Sequence, residues 1–121
     1  MDVLGITGQF LDAPGSPFLS PKKIAQRLSL QIADLAESAH VHRNTFSARP
    51  QAPRVQELLR AIVRVISAAT EAFGDGDTAI AWMRNEPVAA FRHKTAFDLV
   101  SEGRGEAVVT YLESISSGFV G

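Results

Sequence analysis

Six residues within eight positions, His42, Arg43, Asn44, Thr45, Ser47 and Arg49, carry a dense set of hydrogen-bonding side chains. Their chemistry is recognition rather than bond breaking. A guanidinium forks onto the two acceptors of guanine, a carboxamide onto adenine, and hydroxyls reach bases or phosphates. Lys22, Lys23 and Arg27 precede them and are of the type that holds phosphate backbones. The same side chains also suit the outer, solvated face of an ordinary helical hairpin.

Other reactive residue types form no catalytic set. His40 and His42 lie two apart with no carboxylate or thiolate beside them, so the spacing of metal ligands is missing. Ser114, Ser116 and Ser117 stand near Glu113, but no G-x-S-x-G turn surrounds them. The run Gly74-Asp75-Gly76-Asp77 lacks the spacing of a calcium loop. There is no glycine-rich phosphate loop. Neither catalysis, a metal nor a cofactor is expected.

The elements that position these residues read as helices throughout. Residues 1–19 carry Gly5, Gly8, Pro14, Gly15 and Pro17 and read as an irregular arm, with Phe10, Leu11 and Phe18 able to dock on a core. Ser20-Pro21 pairs a hydroxyl cap with proline at the first helical position, predicting a helix to about Leu28. Short helices follow over 31–39 and 42–48. Pro50 and Pro53 break the chain. Val55, Leu58, Leu59, Ile62, Val63, Ile66, Ala69 and Phe73 then form one apolar stripe at helical spacing, stopped by Gly74. That helix, about 30 Å long at 1.5 Å per residue, is expected to join the two halves. Asp77 is expected to cap the next helix, which ends before Pro87. Thr95-Ala96-Phe97-Asp98 has the form of a capping box. The last helix, over 106–116, is expected to bury Val108, Leu112 and Ile115. No strand and no internal repeat is evident.

The bulk numbers fit such a chain. It has 121 residues, 45% hydrophobic and 21% charged, ordinary for a globular protein. It lacks cysteine, which excludes disulfides and thiolate metal sites. No apolar run approaches a membrane span, and the first residues lack the pattern of a signal peptide, so a cytoplasmic location without membrane contact is the expectation. The net charge of -1 is unevenly spread. Residues 20–64 hold eight Lys or Arg against three Asp or Glu, a net of +5. Residues 65–121 hold four against eight, a net of −4. A basic front and an acidic back are expected of two surfaces with different partners, although chance asymmetry on solvated helices gives the same count.

The segment Ile32-Ala33-Asp34-Leu35-Ala36-Glu37-Ser38-Ala39-His40-Val41-His42-Arg43-Asn44-Thr45-Phe46 resembles the helix-turn-helix of Xre/Cro-type repressors. Ala36 is the small residue where two helices cross, and Leu35, Ala39, Val41 and Phe46 supply the shared core. His40 stands at the turn, where such motifs usually have glycine. Histidine accepts a positive φ better than most residues but less well than glycine.

The stretch after it resembles the toxin-binding domain of the Xre/MbcA/ParS antitoxin family. The matching residues are Ala72-Phe73-Gly74-Asp75, Ala79 with Trp82-Met83, Pro87, Thr95 with Asp98-Leu99-Val100, Glu102-Gly103, and Glu106-Ala107-Val108 leading to Leu112, Ile115, Gly118 and Val120. Two positions depart from the family pattern: Arg92-His93-Lys94 occupies the place of a glycine turn, and Ala96 that of a proline. The resemblance implies an all-α protein. A helix-turn-helix bundle (20–52) after the arm (1–19) is joined by a central helix (53–74) to a toxin-binding domain (75–121).

It further implies neutralisation of a toxin that consumes NAD or transfers ADP-ribose, often of the RES type. The active site is covered and the antitoxin's own operon repressed. Operator DNA would then meet His42, Arg43, Asn44, Thr45, Ser47, Arg49, Lys22 and Lys23. The toxin would meet Asp98, Glu102, Arg104, Ser117, Gly118, Phe119, Val120 and Gly121. An acidic surface of Asp98, Glu102, Glu106 and Glu113 would pair with a basic cleft. Phe119 has a plainer use, folding back on Ile115 or Leu112. A homodimer is expected, since such motifs read half-sites about 34 Å apart. Two other readings fit the same residues: a regulator whose back half dimerises or senses a ligand, and an adaptor that has lost DNA binding.

Overall fold

A computed structural model of the chain describes residues 7–117. The architecture is all-α. The elements are α1 (Pro21–Leu28), α2 (Ile32–Ser38), α3 (Arg43–Ala48), α4 (Pro53–Phe73), α5 (Gly76–Asn85), a 3-10 turn η1 (Ala89–Phe91), α6 (Ala96–Ser101) and α7 (Gly105–Ser117). No strand forms among the described residues; Leu11 with Leu19 and Val88 with Lys94 make isolated antiparallel bridges. No described helix is long and apolar enough to cross a membrane. The chain divides into two compact units, one up to Arg60 and one from Ala61 onward. The division falls inside α4.

In the first unit, Ser20 caps α1 as its pattern predicts, accepting from the Lys23 N–H at 3.1 Å, with Pro21 opening the helix. Gln31 and Asp34 form a reciprocal capping box on α2. The interior is built from Phe10, Ile24, Leu28, Leu35, Ala36, Phe46, Val55 and Leu59. Each large apolar side chain fully buried there contributes about 1.5–3 kcal/mol. The arm is tied down by its backbone as well: the Ser20 N–H donates to the Phe10 carbonyl at 2.7 Å.

The second unit packs Ile62, Val65, Ile66 and Ala69 of α4 with Ile80 and Met83 of α5, Leu99 of α6, and Val108 and Leu112 of α7. Two expectations fail here. Asp75, not Asp77, caps α5: its carboxylate accepts from the Thr78 N–H at 2.8 Å and the Thr78 hydroxyl at 2.7 Å. Gly74, at φ +80, turns the chain out of α4 sharply enough that the helix restarts at Gly76. Asp77 is left in the first turn, where its charge still suits the helix dipole. Ile115, expected inside, is 40% exposed. It lies in the last turn of α7, beyond the buried Val108, Val109 and Leu112.

Candidate functional site

Two surfaces hold the residues singled out from sequence. The first is in the unit up to Arg60. α2 and α3 are joined by Ala39, His40, Val41 and His42. His40 takes the left-handed conformation, φ +59, so the turn keeps a glycine-like shape on a residue that tolerates it imperfectly. Leu35, Ala36, Ala39 and Phe46 are buried as expected, and Val41 is half-buried. With Phe46 inside, the rest of α3 faces outward: His42, Arg43, Asn44, Thr45, Ser47 and Arg49 are all exposed.

His42 is the N-cap of α3, and its Nδ1 accepts from the Asn44 N–H at 3.1 Å. An accepting Nδ1 leaves the neutral ring's proton on Nε2, pointing a donor away from the helix. Lys22 is exposed. Lys23 is exposed too, but its Nζ already donates to the Leu11 carbonyl at 2.7 Å, so part of its hydrogen-bonding capacity serves the arm.

One residue that holds this surface was missed in the sequence. Gln56 on α4 is 2% exposed. Its Oε1 accepts from the Leu19 N–H at 2.9 Å, and its Nε2 donates to the Leu19 carbonyl at 3.0 Å and the Pro50 carbonyl at 2.7 Å. The carboxamide thus acts as an extra peptide group. It fixes the chain just before α1 and just after α3, at both ends of the candidate surface. A signal existed: Gln56 stands three and seven residues before Leu59 and Val63, a polar residue on an apolar face.

The second surface is in the unit from Ala61 onward. Thr95 and Asp98 form the capping box that their spacing predicts: Thr95 Oγ1 accepts from the Asp98 N–H and Asp98 Oδ2 from the Thr95 N–H, both at 3.0 Å. Glu102 accepts from Lys94 Nζ at 2.5 Å. Glu106 accepts a fork from Arg64, Nε to Oε2 at 2.5 Å and Nη2 to Oε1 at 3.1 Å. Hydrogen bonding from that guanidinium holds the Glu106 carboxyl below the usual carboxylate range and raises the guanidinium in turn. The expected acidic surface is therefore partly neutralised by the unit's own cations. Arg104 is exposed. The expected contacts of Ser117, Gly118, Phe119, Val120 and Gly121 lie outside the described side chains.

A second missed feature belongs to the same unit. Phe73, Trp82, Tyr111 and Phe91 form a chain of rings with centroids 5.4, 6.4 and 5.1 Å apart, and the Trp82 and Tyr111 planes are within 3° of parallel. Each ring is half-buried. Beside Phe91, Arg92 and His93 take consecutive left-handed conformations, φ +58 and +65. Such a conformation costs a residue with a Cβ roughly 1–2 kcal/mol. The turn closes through the His93 N–H on the Val88 carbonyl at 2.9 Å and the Val88 N–H on the Lys94 carbonyl at 3.0 Å. Sequence spacing could not place these rings together, since they come from α4, α5, η1 and α7.

Residues 68–118 match the antitoxin Xre/MbcA/ParS C-terminal toxin-binding domain. Phe73, Trp82, Phe91 and Tyr111, the left-handed Arg92 and His93, and Glu102 and Glu106 lie inside that span. No curated protein matches the chain.

Proposed function

We propose, from the match of residues 68–118 to the antitoxin Xre/MbcA/ParS C-terminal toxin-binding domain, that this chain is a non-enzymatic antitoxin with two activities. The domain from about residue 68 binds and neutralises a protein toxin. The unit up to Arg60 binds operator DNA through a helix-turn-helix and represses the chain's own operon. The family match carries the first activity. The second is supported by the exposed row on α3 behind a buried Phe46, preceded by a turn whose His40 takes a glycine-like backbone.

The roles follow from the chemistry. Arg43 and Asn44, at the first turn of α3, present a fork and a carboxamide to base edges. Thr45, Ser47, Arg49, His42 and Lys22 supply phosphate or base contacts, and Lys23 does so with the capacity left after Leu11. A homodimer would match paired half-sites. On the toxin side, Asp98, Glu102, Arg104 and the segment Ser117-Gly118-Phe119-Val120-Gly121 cover the active site. The toxin is a RES-type protein that consumes NAD or transfers ADP-ribose. α4, present in both units, is the connecting helix.

Growth rescue tests the first activity. Expression of the adjacent gene's product should arrest growth, and co-expression of this chain should restore it. Arrest that persists at full expression of the chain overturns the reading. A mobility shift on the chain's own promoter tests the second. Affinity should fall steeply as salt rises, because phosphate contacts release counterions.

A further inference from the structure

Three observations fall on the unit from Ala61 onward. First, its aromatic rings are not in its core. The fully buried side chains there are aliphatic, among them Ile62, Val65, Met83, Leu99, Val108 and Leu112. Phe73, Trp82, Phe91 and Tyr111 instead stand half-buried in one continuous chain of rings. Second, Ile115 is 40% exposed and follows Tyr111 by four residues on α7, so both lie on one face of the helix. Third, Arg92 and His93 follow Phe91 in left-handed backbone that glycine adopts without strain. Both are exposed, and neither side chain makes a hydrogen bond or ion pair among the described residues.

We propose that Trp82, Phe91, Tyr111 and Ile115, flanked by Arg92 and His93, form the docking surface for the toxin, against an apolar socket rimmed by carboxylates. This rests on the antitoxin reading above and adds to its active-site contacts a second, anchoring surface for the same toxin. Half-exposed tryptophan and tyrosine with a nearby arginine are the residues that dominate binding energy between proteins. The charge offered is specific. Lys94, the next residue of the turn, is paired with Glu102. The two that remain sit on a strained backbone, so their side chains carry a use that glycine could not supply. A partner with carboxylates around an apolar centre complements that pattern. A polyanion without an apolar socket would leave the rings unburied.

The test uses the full chain and the purified product of the adjacent gene. Two variants are needed. Arg92→Gly with His93→Gly keeps the turn, because glycine fits both φ values, and its melting temperature should not fall below wild type. Ile115→Glu alters an exposed position and leaves the core intact. Each should weaken toxin binding by about tenfold or more while leaving promoter binding unchanged. Wild-type toxin affinity in both variants would overturn the proposal. So would loss of promoter binding with toxin binding intact, which would assign the surface to nucleic acid. A wild-type chain that does not bind the toxin at all would overturn the antitoxin reading with it.

Discussion

The unit ending at Arg60 buries two of its three phenylalanine rings, Phe10 and Phe46, with Phe18 half-buried, and displays its polar groups, whereas the unit from Ala61 onward keeps its rings at the surface. Phe10 and Phe46 are 3% and 0% exposed, and α3 carries only polar or small residues outside. In the other unit the interior is aliphatic and the rings form a half-exposed chain. The difference is the physical basis of the two-partner reading proposed above. A cationic, hydrogen-bonding face without apolar anchors suits a polyanion, whose binding is dominated by phosphate contacts. Aromatic anchors at a surface suit a protein, whose binding is dominated by a few desolvated side chains.

The largest expected effect tests whether the two surfaces are separable. Phe46→Ala removes a ring that is 0% exposed and should cost about 3–5 kcal/mol. Promoter binding should be lost, while toxin binding should survive, since Phe46 lies outside the matched domain. Equal loss of both would show that the units do not act independently. Ile62→Ala, in the same α4 as Gln56 but within the second unit, should cost about 2–5 kcal/mol. It should damage both activities, because both units share that helix. Thermal melts of the two variants, alongside both binding assays, decide between these patterns.

Gln56→Leu sharpens the comparison. It keeps the apolar bulk but removes three hydrogen bonds at the two ends of the α1–α3 region. Leaving the buried Leu19 N–H without a partner should cost about 1–3 kcal/mol. Promoter affinity should fall and toxin affinity should hold. Arg43→Ala and Asn44→Ala act on the same surface without touching stability. Each should weaken promoter binding by about 1–3 kcal/mol, read by mobility shift. Unchanged binding in both would remove α3 from the interface.

The smallest effect concerns the Arg64–Glu106 ion pair of the second unit. The Glu106 carboxyl is held below its ordinary range in the folded chain by hydrogen bonding from Arg64. A lowered carboxylate contributes stability above its unfolded value, about 4.3 for glutamate. That contribution is lost as pH falls through the folded value. Both partners are exposed, so the gain is small. Melts of wild type and Glu106→Gln should differ slightly at neutral pH and converge in acid. A gap that widens in acid would contradict the assignment.

Much of the fold was legible because it is written in local signals. Ser20-Pro21, Thr95 with Asp98, Gly74 and the α4 stripe each act within a few residues, and the helices begin and end where they direct. The row on α3 was legible too, since Phe46 alone orients so short a helix. What escaped depends on distance along the chain. Gln56 reaches Leu19 across 37 residues. The ring chain draws on four elements. Arg92-His93-Lys94 stands in the place of a glycine turn, but that the backbone of Arg92 and His93 stays glycine-like is seen only in their φ values. Asp75 and Asp77 were confused because either aspartate can cap a helix after glycine. The geometry of Gly74 decides between them.

The most direct test of the central claim is co-purification. The chain, tagged, is expressed with the untagged product of the adjacent gene, and the eluate is passed over a sizing column with light scattering. The account predicts one peak holding both proteins. It also predicts that the peak persists in the Arg43→Ala, Asn44→Ala double variant and in salt high enough to abolish promoter binding. Elution of the chain alone, with the adjacent product soluble and abundant in the lysate, would contradict it.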